Sequence, residues 1–502
     1  MAFPNVLYLL QLVCSVTLSL AATVQVTPPS APPSDNVTTV YSNFYGISLE
    51  LSFINYYFGN DTSSIPQPVL NYLSALHNRT DGRPVRLRLG GNSMDSSTYI
   101  PDQQQIIEFT DPTANVNDQP VTYGSVLFDV MKATSDTIGG VDWLIGMVVP
   151  LDLSAVLTSG WLSDFNDRLK YITLQHYPQN NCFGSYQFHL DYYMSHAQTV
   201  ALAAWQEPGL NLLSQTPANT RKPILMDEFN SASCGGVPES NMFGVGLWSA
   251  DYALQMASVG YSGAYLHTRE HGVTYNVFDP PAGPAGAAGT WTTNPNFYAM
   301  LAVTEALQNS NGSRVVDLNL ENSVSDYSAV AAGYAVYDAS SPSNVHSLVL
   351  FNYANASAQG SDYTLPASFF AGSGGNVLVR YMTAPSATET TNISWGNQTY
   401  GGVADGVPVP IKSQWDDQTV SCSSGCTVQV PGPGMAVVFV QAAPQTTAAT
   451  NSSSATQSGS QSGSAASPSN TGDSSKSGSW RVESRFAWAI AAAAIVAFGA
   501  SV

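Results

Sequence analysis

The chain has 502 residues, 44% of them hydrophobic and 10% charged, with a formal net charge of −19. That length sets an expectation of two or three domains around a sizeable core. The acidity argues against nucleic acid and against anionic membrane surfaces as partners, but leaves room for an anionic small substrate, because one local Arg or a set of backbone donors outweighs a distant field that salt screens.

Residues 1–22 read as a signal peptide: an apolar stretch through Leu20, then the small residues Ala21 and Ala22, with no Lys or Arg at the start. A proline-rich linker covers 28–33. Eight Asn-x-Ser/Thr sequons, at Asn36, Asn60, Asn78, Asn311, Asn355, Asn392, Asn397 and Asn451, fit a glycoprotein in the company of a leader. Of five cysteines, Cys14 falls in the leader. The remaining Cys182, Cys234, Cys422 and Cys426 form an even set, which in a secreted chain suggests two disulfides. Cys422 and Cys426 flank a Ser-Ser-Gly turn and are the preferred pair, which leaves Cys182 with Cys234. A metal at the close pair is disfavoured, since no His lies at ligand spacing.

From Phe44 onward, strand-like and helix-like segments alternate. Strands are expected at 45–51, 85–89, 141–149, 171–175, 224–226 and 263–266. Such alternation implies a parallel sheet with covered faces, and polar or aromatic residues at the strand ends imply a (β/α) barrel over 35–312 with its site on that rim. After 313 the texture changes to short β-rich runs separated by Gly, Pro, Ser and Asn, which predicts a β-sandwich over 313–442. Residues 443–485 are rich in Ser, Thr and Gly and are expected to be disordered. Residues 486–502 are apolar, with Ser474 and Ser475 a spacer's length upstream. This is the pattern of a GPI-attachment signal, with a retained membrane span as the alternative. The expected location is extracellular, with the tail tying the protein to the membrane.

One stretch carries the chemistry. Pro223-Ile224-Leu225-Met226 runs directly into Asp227-Glu228 and then Phe229-Asn230-Ser231. A short apolar run of this kind reads as a strand buried on both faces, and a carboxylate at its end lies at a barrel mouth. Glu228 is therefore the candidate nucleophile of a glycoside hydrolase; alternatively, both acids are solvated strand-end residues. Arg88 precedes Gly90-Gly91, and two readings stay open there. The glycines let backbone approach a sugar, or they simply turn the chain while Arg88 pairs with an acid inside the barrel.

The order of several motifs resembles glycoside hydrolase family 79, the fungal β-glucuronidases related to heparanase. They are Phe44-Tyr45-Gly46-Ile47-Ser48-Leu49-Glu50-Leu51, Val85-Arg86-Leu87-Arg88-Leu89-Gly90-Gly91-Asn92-Ser93, His176-Tyr177-Pro178, Asp227-Glu228-Phe229-Asn230-Ser231 and Tyr275-Asn276. In the second domain come Thr383-Ala384-Pro385, Cys422 through Cys426, and Val430-Pro431-Gly432-Pro433-Gly434. The resemblance implies a retaining mechanism with two carboxyls about 5 Å apart. It makes Glu228 the nucleophile, at the end of the seventh strand, and gives Tyr177 a place as its hydrogen-bond donor. Asn92 and Asp95 would bond sugar hydroxyls, although the family more often has Gln-Glu where this chain has Met94-Asp95. Gly235 and Tyr275 would hold the glucuronate carboxylate, a neutral recognition set. No cofactor is expected.

The family's acid/base Glu lies in an Asn-Glu-Pro motif on the fourth strand, and this chain has none. Only 21 residues separate Val149 from Tyr171, too few for the fourth and fifth βα units. The barrel is therefore expected to be incomplete, lacking on the order of 60 to 100 residues at about 30 per unit. Gln206-Glu207-Pro208 imitates the motif by letter but follows the wrong strand, and so does Asp152. Either a coding segment is missing from the sequence, which the intact flanking motifs favour, or the protein is a decayed relative. The functional expectation is a β-glucuronidase-like hydrolase of doubtful activity. The alternatives are a non-catalytic carbohydrate-binding surface glycoprotein and an arabinofuranosidase- or xylosidase-like enzyme.

Overall fold

The computed structural model describes residues 23–440 except 112, 115–118, 147–151, 284–286, 356–359, 371–374 and 403–404. The leader, the low-complexity linker, the apolar tail and Asn451 lie outside the described residues. No described helix is long and apolar enough to cross a membrane.

Six strands form one parallel sheet: β1 (Tyr45–Glu50), β2 (Val85–Gly90), β3 (Val141–Ile145), β4 (Ile172–Gln175), β5 (Ile224–Phe229) and β6 (Gly263–Thr268). Their spatial order is β3-β2-β1-β6-β5-β4. The two edge strands are thus neighbours in sequence, and a closed barrel would join them through further strands. The sheet is an incomplete barrel, as expected from the short interval between β3 and β4. Asp142, Trp143 and Leu144 of β3 face Tyr171 and Thr173 across a cavity of about 270 Å³, with Tyr265 also in its wall. Two short helices, Leu153–Thr158 and Trp161–Phe165, fill the interval. Asp152 caps the first, accepting from the Ala155 amide at 3.0 Å, and Glu207 opens the outer helix Glu207–Ser214. Neither is at a strand end, so neither replaces the Asn-Glu-Pro acid.

The interior strands are apolar because both their faces are covered. Every residue of β1, β5 and β6 is buried. Helix Phe243–Val259 is buried almost all round and stops at Gly260, whose φ of 114° supplies a left-handed cap. The second region is antiparallel. Its nine-stranded sheet begins at Ser313–Asp317, and its longest strands are Ala331–Asp338, Val345–Asn352 and Asn376–Thr383. A three-stranded sheet packs on it, sharing a core that includes Val24, Tyr363 and Val428 from one side and Leu348, Val379 and Val438 from the other. One of its strands, Thr23–Gln25, comes from the chain's start and pairs in parallel with Ser361–Leu365. The sequence reading assigned no strand there.

Two buried charge clusters join the barrel helices to this sheet. Glu305, fully buried on helix Pro295–Ala306, pairs with Arg79 at 2.6 Å and Arg380 at 2.5 Å. His196 lies between Asp251 and Asp317, each at 3.0 Å, and the Tyr353 hydroxyl donates to Asp251 at 2.7 Å. Burial opposes charge on His196, but the two carboxylates outweigh it and push the imidazole up to about 10. Both expected disulfides are present, Cys182–Cys234 and Cys422–Cys426. Among the described sequons, Asn60, Asn78, Asn311, Asn355 and Asn392 are exposed. Asn36 and Asn397 are half-buried with engaged side chains: Asn36 donates to the Val315 carbonyl at 2.7 Å, and Asn397 accepts from the Asp417 amide at 2.9 Å.

Candidate active site

The end of β5 is irregular. Leu174 and Ala264 both pair with Met226, yet the next partners on β4 and β6 face Glu228 and Phe229. An extra residue in a strand re-aims its side chains, and here Asp227 and Glu228, which would otherwise alternate, both reach Arg88. Arg88 Nη1 lies 2.7 Å from Glu228 Oε2, and its Nε lies 3.8 Å from Asp227 Oδ2. The other Glu228 oxygen accepts from the Tyr177 hydroxyl at 2.9 Å. Burial, followed by the Glu228 charge, holds the Tyr177 phenol well above its usual range, so it stays a donor. Arg88 is wholly enclosed, whereas the Glu228 side chain keeps 10% of its surface open. A carboxylate bonded at both oxygens is held in one orientation, and this one also reaches solvent.

The reading of Arg88 as an interior ion partner is the one the structure bears out. The double glycine serves the same network. A Cβ on Gly90 would overlap the Arg88 guanidinium, and one on Gly91 (φ 85°) would overlap the Glu50 carboxylate. Glu50 ends β1 and accepts from the Ser93 amide at 2.9 Å, with His267 Nε2 at 3.3 Å. Burial works against its charge, but His267 and Ser93 prevail and lower its pKa. The opposite His267 nitrogen meets Ser48 Oγ at 3.1 Å and stands 4.0 Å from Glu228. Glu50, Ser48, His267 and Arg88 therefore form one buried shell behind Glu228. The sequence reading gave Glu50 and His267 no role. The available signal was the one that found Glu228, a titratable residue at the end of an apolar strand.

Asp227 is different. Burial pushes its carboxyl up to about 6, with Arg88 pulling down and Glu228 pushing up. The folded state therefore holds this proton more tightly than the unfolded chain, and stability falls as pH rises from about 4 to about 6. Asp227→Asn removes that loss. Its melting temperature relative to wild type is expected to climb between pH 4 and pH 7, by the equivalent of up to about 3 kcal/mol. An offset independent of pH would contradict the assignment.

The other sequence-predicted residues occupy neighbouring rim loops. Asn92 and Asp95 belong to a short helix directly after β2 and are exposed, on either side of the Ser93 that binds Glu50. Gly235, with φ 91°, follows β5, and its carbonyl accepts from Thr274 Oγ1 at 3.2 Å. Tyr275 is buried, its ring 6.1 Å from His267. Burial raises its phenol far above the usual range against the pull of Arg269. The Cys182–Cys234 bridge ties the Tyr177 loop to the Gly235 loop, helped by Asn181 Nδ2 donating to the Gly236 carbonyl at 2.9 Å. Direct contact is seen between Glu228 and Tyr177. Among the described residues, no group of three or more His, Cys, Asp and Glu forms a metal cluster.

Residues 333–437 match the glycosyl hydrolase family 79 C-terminal beta domain. A β-glucuronidase of Aspergillus niger is 29% identical over 255 residues, covering 48% of this chain and 45% of that protein. One from Neurospora crassa is 26% identical over 213 residues, 37% of each. The chain thus spans less than half the length of the curated relatives it matches. Among solved structures, a 4-O-α-L-rhamnosyl-β-D-glucuronidase from Fusarium oxysporum superposes with a TM-score of 0.59 at 18% identity, over 83% of this chain and all of that one. A family 51 α-L-arabinofuranosidase from Thermotoga petrophila gives 0.50 at 13% identity, over 83% of this chain and 98% of that one. At such identities these two structures establish the fold alone. Over residues 333–437 the chain is thus similar to the C-terminal β domain of glycoside hydrolase family 79, and the likeness to that family read from its motifs is borne out.

Proposed function

We propose that the protein is a β-glucuronidase-like glycoside hydrolase that removes terminal glucuronate from glycans or glucuronides at the cell surface, where its leader and apolar tail would place it. The observation that carries this is Glu228, held at a strand end by Arg88 and Tyr177. Its carboxylate oxygen would bond to the anomeric carbon as the glycosidic oxygen leaves, and water would then release the sugar. The leaving oxygen normally takes a proton from a second carboxyl. The two acids packed beside Glu228 are not set out for that. Glu50 is engaged by Ser93 and His267, and Asp227 adjoins Glu228 on the same strand behind Arg88.

The test follows from that gap. A nitrophenyl β-D-glucuronide has a leaving group that needs no protonation, and azide can replace the base-activated water. Purified protein is expected to release nitrophenolate from the glucuronide but not from the matching glucoside, faster with azide. A second reading is favoured by the open sheet and the missing Asn-Glu-Pro: a non-catalytic carbohydrate-binding glycoprotein. Binding of glucuronides without any nitrophenolate release, azide or not, would select it.

A further inference from the structure

The hydrogen bonds of the shell behind Glu228 run in one direction. Ser48, Arg88 and His267 stand in register on three adjoining strands, with Ser48 opposite Arg88 on β2 and opposite His267 on β6. All three are buried, His267 at 2% exposure and the other two at 0%, so their hydrogens must find acceptors within the shell. A guanidinium only donates. Arg88 Nη1 gives one hydrogen to Glu228 Oε2 at 2.7 Å and one to Ser48 Oγ at 3.0 Å. Ser48 therefore accepts there, and its own hydroxyl hydrogen is left for His267 Nδ1, 3.1 Å away. That nitrogen must then be bare, and the ring proton sits on Nε2, 3.3 Å from Glu50 Oε2.

Each group in the row is thus used one way, from Arg88 through Ser48 and His267 to Glu50. The far end is anchored: Glu50 Oε1 accepts from the Ser93 amide and hydroxyl, at 2.9 and 2.5 Å. A protonated imidazole would break the row, because hydrogens on both nitrogens would leave that of Ser48 without an acceptor among the described residues. The near end has two claimants. Arg88 Nε lies 3.8 Å from Asp227 Oδ2, while Nη1 serves Glu228. A Ser48 lone pair holds Nη1 on the Glu228 side, and it is fixed there only while the Ser48 hydrogen points to His267.

We propose that His267 is a positioning residue for Glu228: as a neutral ring protonated on Nε2, it sets the Ser48 hydroxyl, which keeps the Arg88 guanidinium on the Glu228 carboxylate rather than on Asp227. The imidazole acts through Ser48 and Arg88, its Nδ1 standing 4.0 Å from Glu228 Oε2. This rests on the reading of Glu228 as a nucleophile, and it names the part of the shell that decides how that carboxylate is held.

Two measurements separate this role from packing. Nitrogen-15 NMR of the wild-type imidazoles, with the His267 signal assigned by its loss in His267→Gln, is expected to show a neutral ring with the proton on Nε2. A proton on Nδ1, alone or in the cation, overturns the proposal and leaves the hydrolase reading standing. Rates on a nitrophenyl β-D-glucuronide give the second measurement. His267→Leu should lower kcat roughly tenfold to a hundredfold while KM stays within about twofold. His267→Gln, whose amide supplies one acceptor and one donor, should recover most of that loss. Ser48→Ala should cost about as much as His267→Leu, and the double variant should be no slower than either, since both break the same row. Equal losses in the Gln and Leu variants, or additive losses in the double variant, mark His267 as packing and overturn the proposal. If His267→Leu does not fold, Ser48→Ala decides, and a wild-type kcat in that variant overturns the proposal. Wild type that releases no nitrophenolate overturns the hydrolase reading, and the proposal with it.

Discussion

Glu228→Gln is expected to cut nitrophenolate release from a nitrophenyl β-D-glucuronide by roughly three orders of magnitude or more, as loss of a covalent nucleophile does. The amide is nearly isosteric: its oxygen can still accept from Arg88 while its NH2 meets the Tyr177 hydroxyl, whose oxygen can accept, so the fold persists. What disappears is the negative charge and one lone-pair-bearing oxygen. Glucuronide affinity should stay within a few-fold of wild type, and azide should give no recovery, because without the Glu228 carboxylate no glycosyl-enzyme forms for it to attack. Activity that survives the substitution would place the nucleophile elsewhere. Arg88→Met should depress the same rate less, since Tyr177 still orients one oxygen, but should also destabilise the protein by leaving Glu228 and Asp227 buried side by side.

Glu305→Ala should be the most damaging single change to stability, costing about 3–5 kcal/mol. Glu305 neutralises two guanidinium groups from opposite sides of the seam, Arg79 from a barrel loop and Arg380 from the antiparallel sheet. Removing it strands one of them. Arg380 keeps Asp417 at 2.8 Å, whereas Arg79 retains the Ala75 carbonyl and the Gln398 side chain but no anion. The double variant Glu305→Ala/Arg79→Met should therefore recover part of the loss, a coupling that denaturant midpoints of the four proteins in the cycle would measure. Strict additivity would mean that the pair contributes nothing beyond its packing.

Periodicity and punctuation made much of the fold legible. Apolar runs ending in polar residues mark β1 through β6, and the 21 residues between Val149 and Tyr171 announce the missing strands. Glu228 and Tyr177 could be paired because each closes a neighbouring strand. What stayed hidden depends on register across the sheet. Ser48 opposes Arg88, and His267 opposes Ser48, alignments that no local pattern specifies. The double glycine is a case in point: its purpose shows only when Glu50 and Arg88 occupy the space a Cβ would fill. Thr23–Gln25 escaped notice because three residues carry little periodic signal and its partner begins at Ser361.

The sheet stops at β3 on one side and β4 on the other, so the outward amides and carbonyls of Val141–Ile145 and Ile172–Gln175 have no strand alongside them among the described residues. Ile145 is 46% exposed on the first of these borders. Such rows are templates for any extended peptide that meets them. Made in quantity, this polypeptide should therefore grow into oligomers by edge-to-edge accretion, and its yield should respond more to Lys or Pro placed on those two borders than to any change around Glu228.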